Sequence, residues 1–256
     1  MKRTKASPRW QRRSGHSGNS LKHPIANTIL LSLPERERNI VFAKCQFVEL
    51  PKHLLVHEMG APIKFCYFID DGLASILSVM ASGKSVEVGL LGREGFLGLP
   101  ITAGFTTSPT RAIMQVGGHG LRISAADLKD CLPNCPALEV ALKRFSQTLT
   151  LQATQVAACN RVHEVDQRLS RWLLMSLDRL DGADVPLTQD SLASMLGTRR
   201  ASVTVAAGIL QKAGLITYRR GELKIDDRLG LEKAACECYQ TLRRQNEKWS
   251  LEAEKT

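Results

Sequence analysis

Apolar and polar positions fall into three regimes along the chain. Ahead of them, 27–43 reads as one or two short helices, with Leu30, Leu31, Leu33, Ile40 and Val41 apolar and Pro34 as a break. From Phe47 short apolar segments alternate with turn signals, at 47–50, 54–57, 65–69, 73–80, 86–91, 111–116 and 120–123. Met59-Gly60, Asp70-Asp71-Gly72, Ser82-Gly83-Lys84, Gly92, Gly95, Gly98 and Gly117-Gly118 punctuate them. Short strands with turns at that spacing predict a β-sandwich or jelly roll. A short helix follows at 124–132, with Ser124 as its N-cap.

After Pro133 and Pro136 the period becomes helical, over about 137–160. Leu138, Leu142, Phe145, Leu149, Gln152, Val156, Cys159 and His163 recur at alternating spacings of four and three. So narrow a stripe on so long a helix predicts a seam between two identical chains, with polar Gln152 setting register. The alternative is a helix packed on its own sheet.

The third regime begins with an amphipathic helix at 162–180, its apolar face formed by Val165, Leu169, Trp172, Leu173 and Leu177. The loop Asp181-Gly182-Ala183-Asp184 follows. Thr188 is placed to cap a short helix carrying Leu192, Ala193 and Leu196, and Gly197 breaks it. A second helix from about Arg199 buries Val203, Ala206 or Ala207, and Leu210, and ends at Gly214. Segments 215–218 and 222–225 flank an Arg-Arg-Gly turn, a short hairpin. Two helices, a tight turn and a hairpin make a winged helix-turn-helix, whose second helix suits a DNA major groove. The chain closes with a segment that is helical from near Leu229.

The expected fold is therefore α+β: an N-terminal double-stranded β-helix (jelly roll), a long dimerisation helix and a C-terminal winged helix-turn-helix. The expected division is a basic tail at 1–23, a β-roll sensor domain at 24–133, the dimerisation helix at 134–161, the DNA-binding domain at 162–235 and a helical tail at 236–256.

Charge adds less than its total suggests. The 256 residues carry a net charge of +10, but Lys2, Arg3, Lys5, Arg9, Arg12, Arg13 and Lys22 supply seven of those charges before residue 24. That polar, basic segment reads as a disordered tail. Seven scattered cysteines fit reduced thiols in a cytoplasm better than a disulfide framework. No apolar run reaches the roughly 20 residues that span a bilayer, so no membrane contact is expected. The loose pairs Cys131/Cys135 and Cys236/Cys238 read as buried thiols, and no residue is assigned to a metal.

In this order the elements resemble the Crp/Fnr family of bacterial transcription regulators, over about residues 25–235. Three stretches carry the resemblance: Gly92-Arg93-Glu94-Gly95-Phe96-Leu97-Gly98, Asn160-Arg161-Val162-His163 with Arg168-Leu169-Ser170-Arg171-Trp172-Leu173, and Leu196-Gly197-Thr198-Arg199-Arg200-Ala201-Ser202-Val203-Thr204. The resemblance implies a homodimer on a palindromic site in double-stranded DNA, and contact with RNA polymerase. In the family motif an Arg, a Glu one residue later and a second Arg read bases. Arg200 takes the first position, Ala201 the second and Val205 the third. A guanidinium can engage guanine O6 and N7, whereas Ala201 and Val205 can touch only thymine methyls. Arg199, Ser202 and Thr204 are expected at phosphates or base edges, and Arg219 and Arg220 at phosphates beside the wing.

For the sensor, Gly95, Phe96, Leu97, Thr110 and Arg111 outline the candidate effector pocket. Cyclic AMP is disfavoured, because Phe96 stands where the family has a ribose-binding Glu. Thr110 stands where it has the phosphate-binding Arg, and Arg111 falls one place late, on the opposite face of a strand. The cysteine cluster of the oxygen-sensing branch is missing ahead of Cys45. Two further readings are a ligand-independent regulator controlled by its abundance and a cupin-like metal-dependent enzyme. For the latter, His53, His57 and Glu58 form the sole local cluster of ligand types.

Overall fold

The computed structural model describes residues 25–180, 184–185, 187–219 and 221–253. The basic tail and Arg220 lie outside them. Helices α1 (Thr28–Leu31) and α2 (Glu35–Phe42) lead into eight strands. These are β1 (Gln46–Leu50), β2 (Leu55–His57), β3 (Phe65–Ile69), β4 (Leu73–Val79), β5 (Ser85–Leu91), β6 (Phe96–Leu97), β7 (Arg111–Val116) and β8 (Gly118–Ser124), with α3 (Leu99–Thr102) between β6 and β7. They form two antiparallel four-stranded sheets, in the orders β1-β8-β3-β6 and β2-β7-β4-β5. Phe68, Phe96, Leu97, Met114, Leu121 and Ile123 fill the sandwich. Strand β6 and helix α3 escape the sequence pattern because two- and four-residue elements show no period.

Helix α4 (Ala125–Cys131) starts at Ser124, whose hydroxyl accepts the Asp127 N–H at 3.0 Å. A turn of tighter helix at Leu132–Asn134 leads to α5 (Pro136–Val162), and α6 (Val165–Leu177) follows. The remainder is β9 (Asp184–Val185), α7 (Gln189–Met195), α8 (Arg200–Lys212), β10 (Ile216–Arg219), β11 (Glu222–Ile225), α9 (Arg228–Ala234) and α10 (Cys238–Ala253). Strand β9 adds to the β10–β11 hairpin as a third strand. Trp172, Leu173, Leu192, Leu196, Val203, Leu210, Leu223, Leu231 and Tyr239 form the second core.

The stripe on α5 faces its own chain. Leu138, Leu142 and Phe145 belong to the sandwich core. Leu149 presses on β5 so closely that a Cβ on Gly89 would lie 2.6 Å from its Cδ1. Gln152 is buried, and its amide donates to the Leu90 carbonyl at 3.2 Å and accepts the Leu90 N–H at 2.6 Å. Val156 and Cys159 are also buried, the latter beside Cys236. The expected seam of Leu138, Leu142, Phe145, Leu149, Gln152, Val156 and Cys159 is thus the contact between α5 and its own body. At Leu149 and Gln152 the physical reason is β5. It is an edge strand, its backbone groups need cover, and α5 supplies it.

The C-terminal segment likewise folds back. Tyr239 and Leu242 of α10 are buried against α6, and α10 runs along the end of α5. The two cores meet directly at β5, where Glu87 accepts the Trp172 indole N–H at 2.8 Å.

Candidate nucleic-acid interface and sensor cavity

Local chemistry sets the reading head. The Thr188 hydroxyl accepts the Ser191 N–H at 3.2 Å and starts α7. Gly197 makes the turn at φ +58°, a left-handed conformation that side chains resist. A Cβ there would also sit 3.0 Å from a Val86 methyl. Helix α8 buries Val203, Ala206, Ala207 and Leu210, which turns Arg200, Ala201, Thr204, Val205, Gly208 and Ile209 outward.

Most of the expected contact residues share this surface. Arg199, Arg200, Ala201, Thr204 and Val205 are exposed at the start of α8, and Ser202 is half-buried at its flank. Arg200 Nη1 lies 3.5 Å from Asp190 Oδ2, and both side chains are about two-thirds exposed. An ion pair so solvated is weak and leaves the guanidinium able to exchange Asp190 for a nucleic-acid acceptor. Arg219 is exposed at the end of β10, on the wing. The wing is braced to the helices by Tyr218, whose hydroxyl donates to Leu187 O at 3.0 Å and whose N–H donates to Gln211 Oε1 at 2.8 Å.

Two polar residues escape a reading by sequence. The Gln189 amide oxygen accepts the Thr204 hydroxyl at 2.8 Å, and Asp190 faces Arg200. Both stand at the N-terminus of α7, about ten positions or more before their partners, where no local spacing announces them.

The roll holds a cavity of about 290 Å³ between its second sheet and α5. Phe96, Leu97 and Thr110 line it, with His57 and, from α5, Leu149 and Thr150 among the other walls. Gly95 and Arg111 do not. The Gly95 carbonyl accepts the Asn27 amide at 2.9 Å inside the fold. Arg111 turns to Glu58, with Nε 2.9 Å from Oε1 and Nη2 2.8 Å from Oε2. This pairing holds the Glu58 carboxyl below its usual range. Glu58 is thus engaged by Arg111, while neighbouring His57 lines the cavity. Among the described residues, no Lys, Arg, Asp or Glu side chain lines the cavity. Burial lowers the His57 pKa, which keeps the ring neutral, and its Nε2 is buried without a hydrogen-bond partner.

Residues 167–234 match the family of Crp-like helix-turn-helix domains. No curated protein sequence matches the chain. Among solved structures, the chain is similar to CLP, the c-di-GMP-responsive global regulator of Xanthomonas campestris. That match has 18% identity and a TM-score of 0.63, over 76% of this chain and 100% of that one. FixK2 of Bradyrhizobium japonicum matches at 12% identity and TM-score 0.62, over 75% of this chain and 98% of that one. A CRP-family transcriptional regulator of Thermus thermophilus matches at 17% identity and TM-score 0.60, over 73% of this chain and 96% of that one. Identities this low speak to the fold, which runs through both the sandwich and the reading head. No helix among the described residues is long and apolar enough to cross a membrane.

Proposed function

We propose that the chain is a Crp/Fnr-type transcription regulator that binds DNA through the Crp-like helix-turn-helix matched at residues 167–234, acting as a homodimer on a two-fold symmetric site and gated by a small uncharged ligand in the roll. The observation that carries this reading is the exposed start of α8. Arg200 stands there beside Ala201 and Val205, with wing Arg219 beyond. Arg200 is the base reader, Ala201 and Val205 meet thymine methyls, and Arg199, Thr204 and Arg219 hold phosphates. Ser202 and Arg220 complete the phosphate contacts.

The dimer contact falls on the solvent face of α5, opposite the stripe that packs inward. Val140, Gln147, Thr150, Thr154, Ala157 and Ala158 are exposed along it. The Thr150 and Thr154 hydroxyls already donate to Ser146 O and Thr150 O, each at 2.9 Å. What that face offers a second helix is mostly small side chains, with the two Thr hydroxyls already bonded to their own helix. Light scattering on the purified chain tests this: a dimer for the native sequence and a monomer for Thr154→Glu are expected, and a monomeric native chain would refute it.

Thr150 belongs to both the cavity wall and this solvent face. A ligand in the cavity would therefore touch the roll and the dimer helix together, and shift their relative populations of arrangements. The uncharged lining supports a neutral ligand with one polar group toward His57. A cyclic nucleotide or c-di-GMP would leave its phosphate unpaired there. Titrating cyclic AMP and c-di-GMP into a DNA-binding assay is expected to change nothing, and a response to either would overturn the neutral-ligand reading. A native chain that binds its site equally with every neutral candidate favours control by abundance instead.

A further inference from the structure

The sequence separates Cys159 and His163 from Cys236 and Cys238 by more than seventy positions, and the fold brings all four together. Cys159 lies in the last turn of α5 and His163 follows that helix as its C-cap. The His163 N–H donates to Cys159 O at 3.0 Å, so the two side chains leave α5 on the same side. Cys236 stands just beyond α9, and Cys238 opens α10. Cys159 Sγ lies 3.5 Å from Cys236 Sγ, and Cys238 Sγ lies 3.5 Å from His163 Nδ1. All four donor atoms fall within 4.8 Å of one another. The three thiols are almost fully buried.

We propose that Cys159, His163, Cys236 and Cys238 form a mononuclear tetrahedral metal site, suited by its ligands to Zn²⁺, that fastens the end of α5 to the C-terminal segment of the DNA-binding domain. Zinc bonds of about 2.3 Å to sulfur and 2.0–2.1 Å to nitrogen put tetrahedral ligands roughly 3.5–3.8 Å apart, which agrees with both short separations here. An iron–sulfur cluster spreads its four ligands over two or four irons and needs a wider frame. A disulfide needs about 2.05 Å between sulfurs.

Two features outside the ligand set agree. His163 Nε2 lies 3.0 Å from Glu237 Oε2, the carboxylate–histidine arrangement that fixes the ring with Nδ1 toward a metal. Arg168 and Arg171 are buried close enough to Cys159 for their charge to act on it, and each has an Nε without a hydrogen-bond partner. Three thiolates and a histidine around Zn²⁺ carry one net negative charge, which buried guanidiniums would balance. On binding, three thiol protons leave to solvent.

The site joins α5, which walls the sensor cavity, to the segment that follows the wing. A metal there fixes the stance of the reading head relative to the roll. This consequence rests on the DNA-binding role, whereas the site itself does not.

The test uses the full chain purified under reductant. Elemental analysis is expected to find one zinc per chain. After chelation, Co²⁺ titrated into the native chain is expected to give the visible bands of tetrahedral cobalt and a thiolate charge-transfer band, saturating at one equivalent. The double variant C236S/C238S should lose both signals, while C131S/C135S keeps them. Glu237 is largely exposed, so Glu237→Ala tests the site without risk to folding and should weaken zinc binding roughly 10–100-fold. A native chain without zinc and without the cobalt spectrum would overturn the site. So would metal content unchanged in C236S/C238S, or a Cys159–Cys236 disulfide found in place of the metal.

Discussion

The indole of Trp172 on α6 donates to Glu87 Oε1 on β5 at 2.8 Å, with both side chains shut off from solvent. The Ser75 hydroxyl takes the other carboxyl oxygen. This contact carries the roll onto the reading head, and it holds an ionisable group in the dark. Burial pushes Glu87 from its ordinary 4.5 up to about 7, against the pull of its two donors.

A pH dependence follows. Because the folded pKa is raised, the stabilising contribution is complete below the unfolded value and is lost as pH rises through about 7. The full swing is on the order of 3 kcal/mol. Thermal melts should therefore fall between about pH 5 and pH 8. Glu87→Gln keeps the shape and the Trp172 bond and should flatten that fall. An unchanged slope in the variant would remove Glu87 as its source.

Gly197 is another point where reading head and roll touch. Gly197→Ala places a methyl on a φ of +58° and 3.0 Å from Val86. The expected cost is about 1–3 kcal/mol, part backbone and part clash. Adding Val86→Ala should return the steric part and leave the backbone part, as read by denaturant midpoints. Full recovery would mean the backbone is not strained.

Gln152 distinguishes the two packings of α5. Since its amide completes the edge of β5 at Leu90, Gln152→Leu should cost about 1–3 kcal/mol by leaving the Leu90 groups unpaired. The oligomeric state should not change. A shift in oligomeric state with intact stability would return Gln152 to a seam between chains.

Much of this architecture is legible in the sequence. Alternation marks seven strands of the roll, and the Leu192–Leu196 and Val203–Leu210 faces mark the helix-turn-helix. The partner of a helical face is not legible. The stripe from Leu138 to Cys159 has the same spacing whether it meets a second chain or its own body, and the sandwich core and the free edge of β5 decide. The site residues divide in the same way. Arg200 and Val205 are exposed because they alternate with Val203 and Ala206 on one helix, a local fact. The pairing of Arg111 with Glu58, and of Cys159 with Cys236, depends on where distant segments lie. No spacing encodes either.

Two arginines of the interface should behave differently. Arg200→Ala should lose roughly 1–3 kcal/mol for the preferred site and relax choice at one base pair. Arg219→Ala should weaken binding about equally across sequences and reduce the salt slope by about one. Binding isotherms at several salt concentrations separate the two. Equal behaviour would mean that Arg200 holds only phosphate.

The most direct test is selection of binding sites from random duplex DNA by the purified full chain, repeated with Arg200→Ala. The expected product is an inverted repeat with half-sites about one helical turn apart, roughly 10–10.5 base pairs centre to centre. One position in each half-site should lose its preference in the variant. A single unpaired half-site, or a preference that Arg200→Ala leaves intact, would contradict a paired reader built on Arg200.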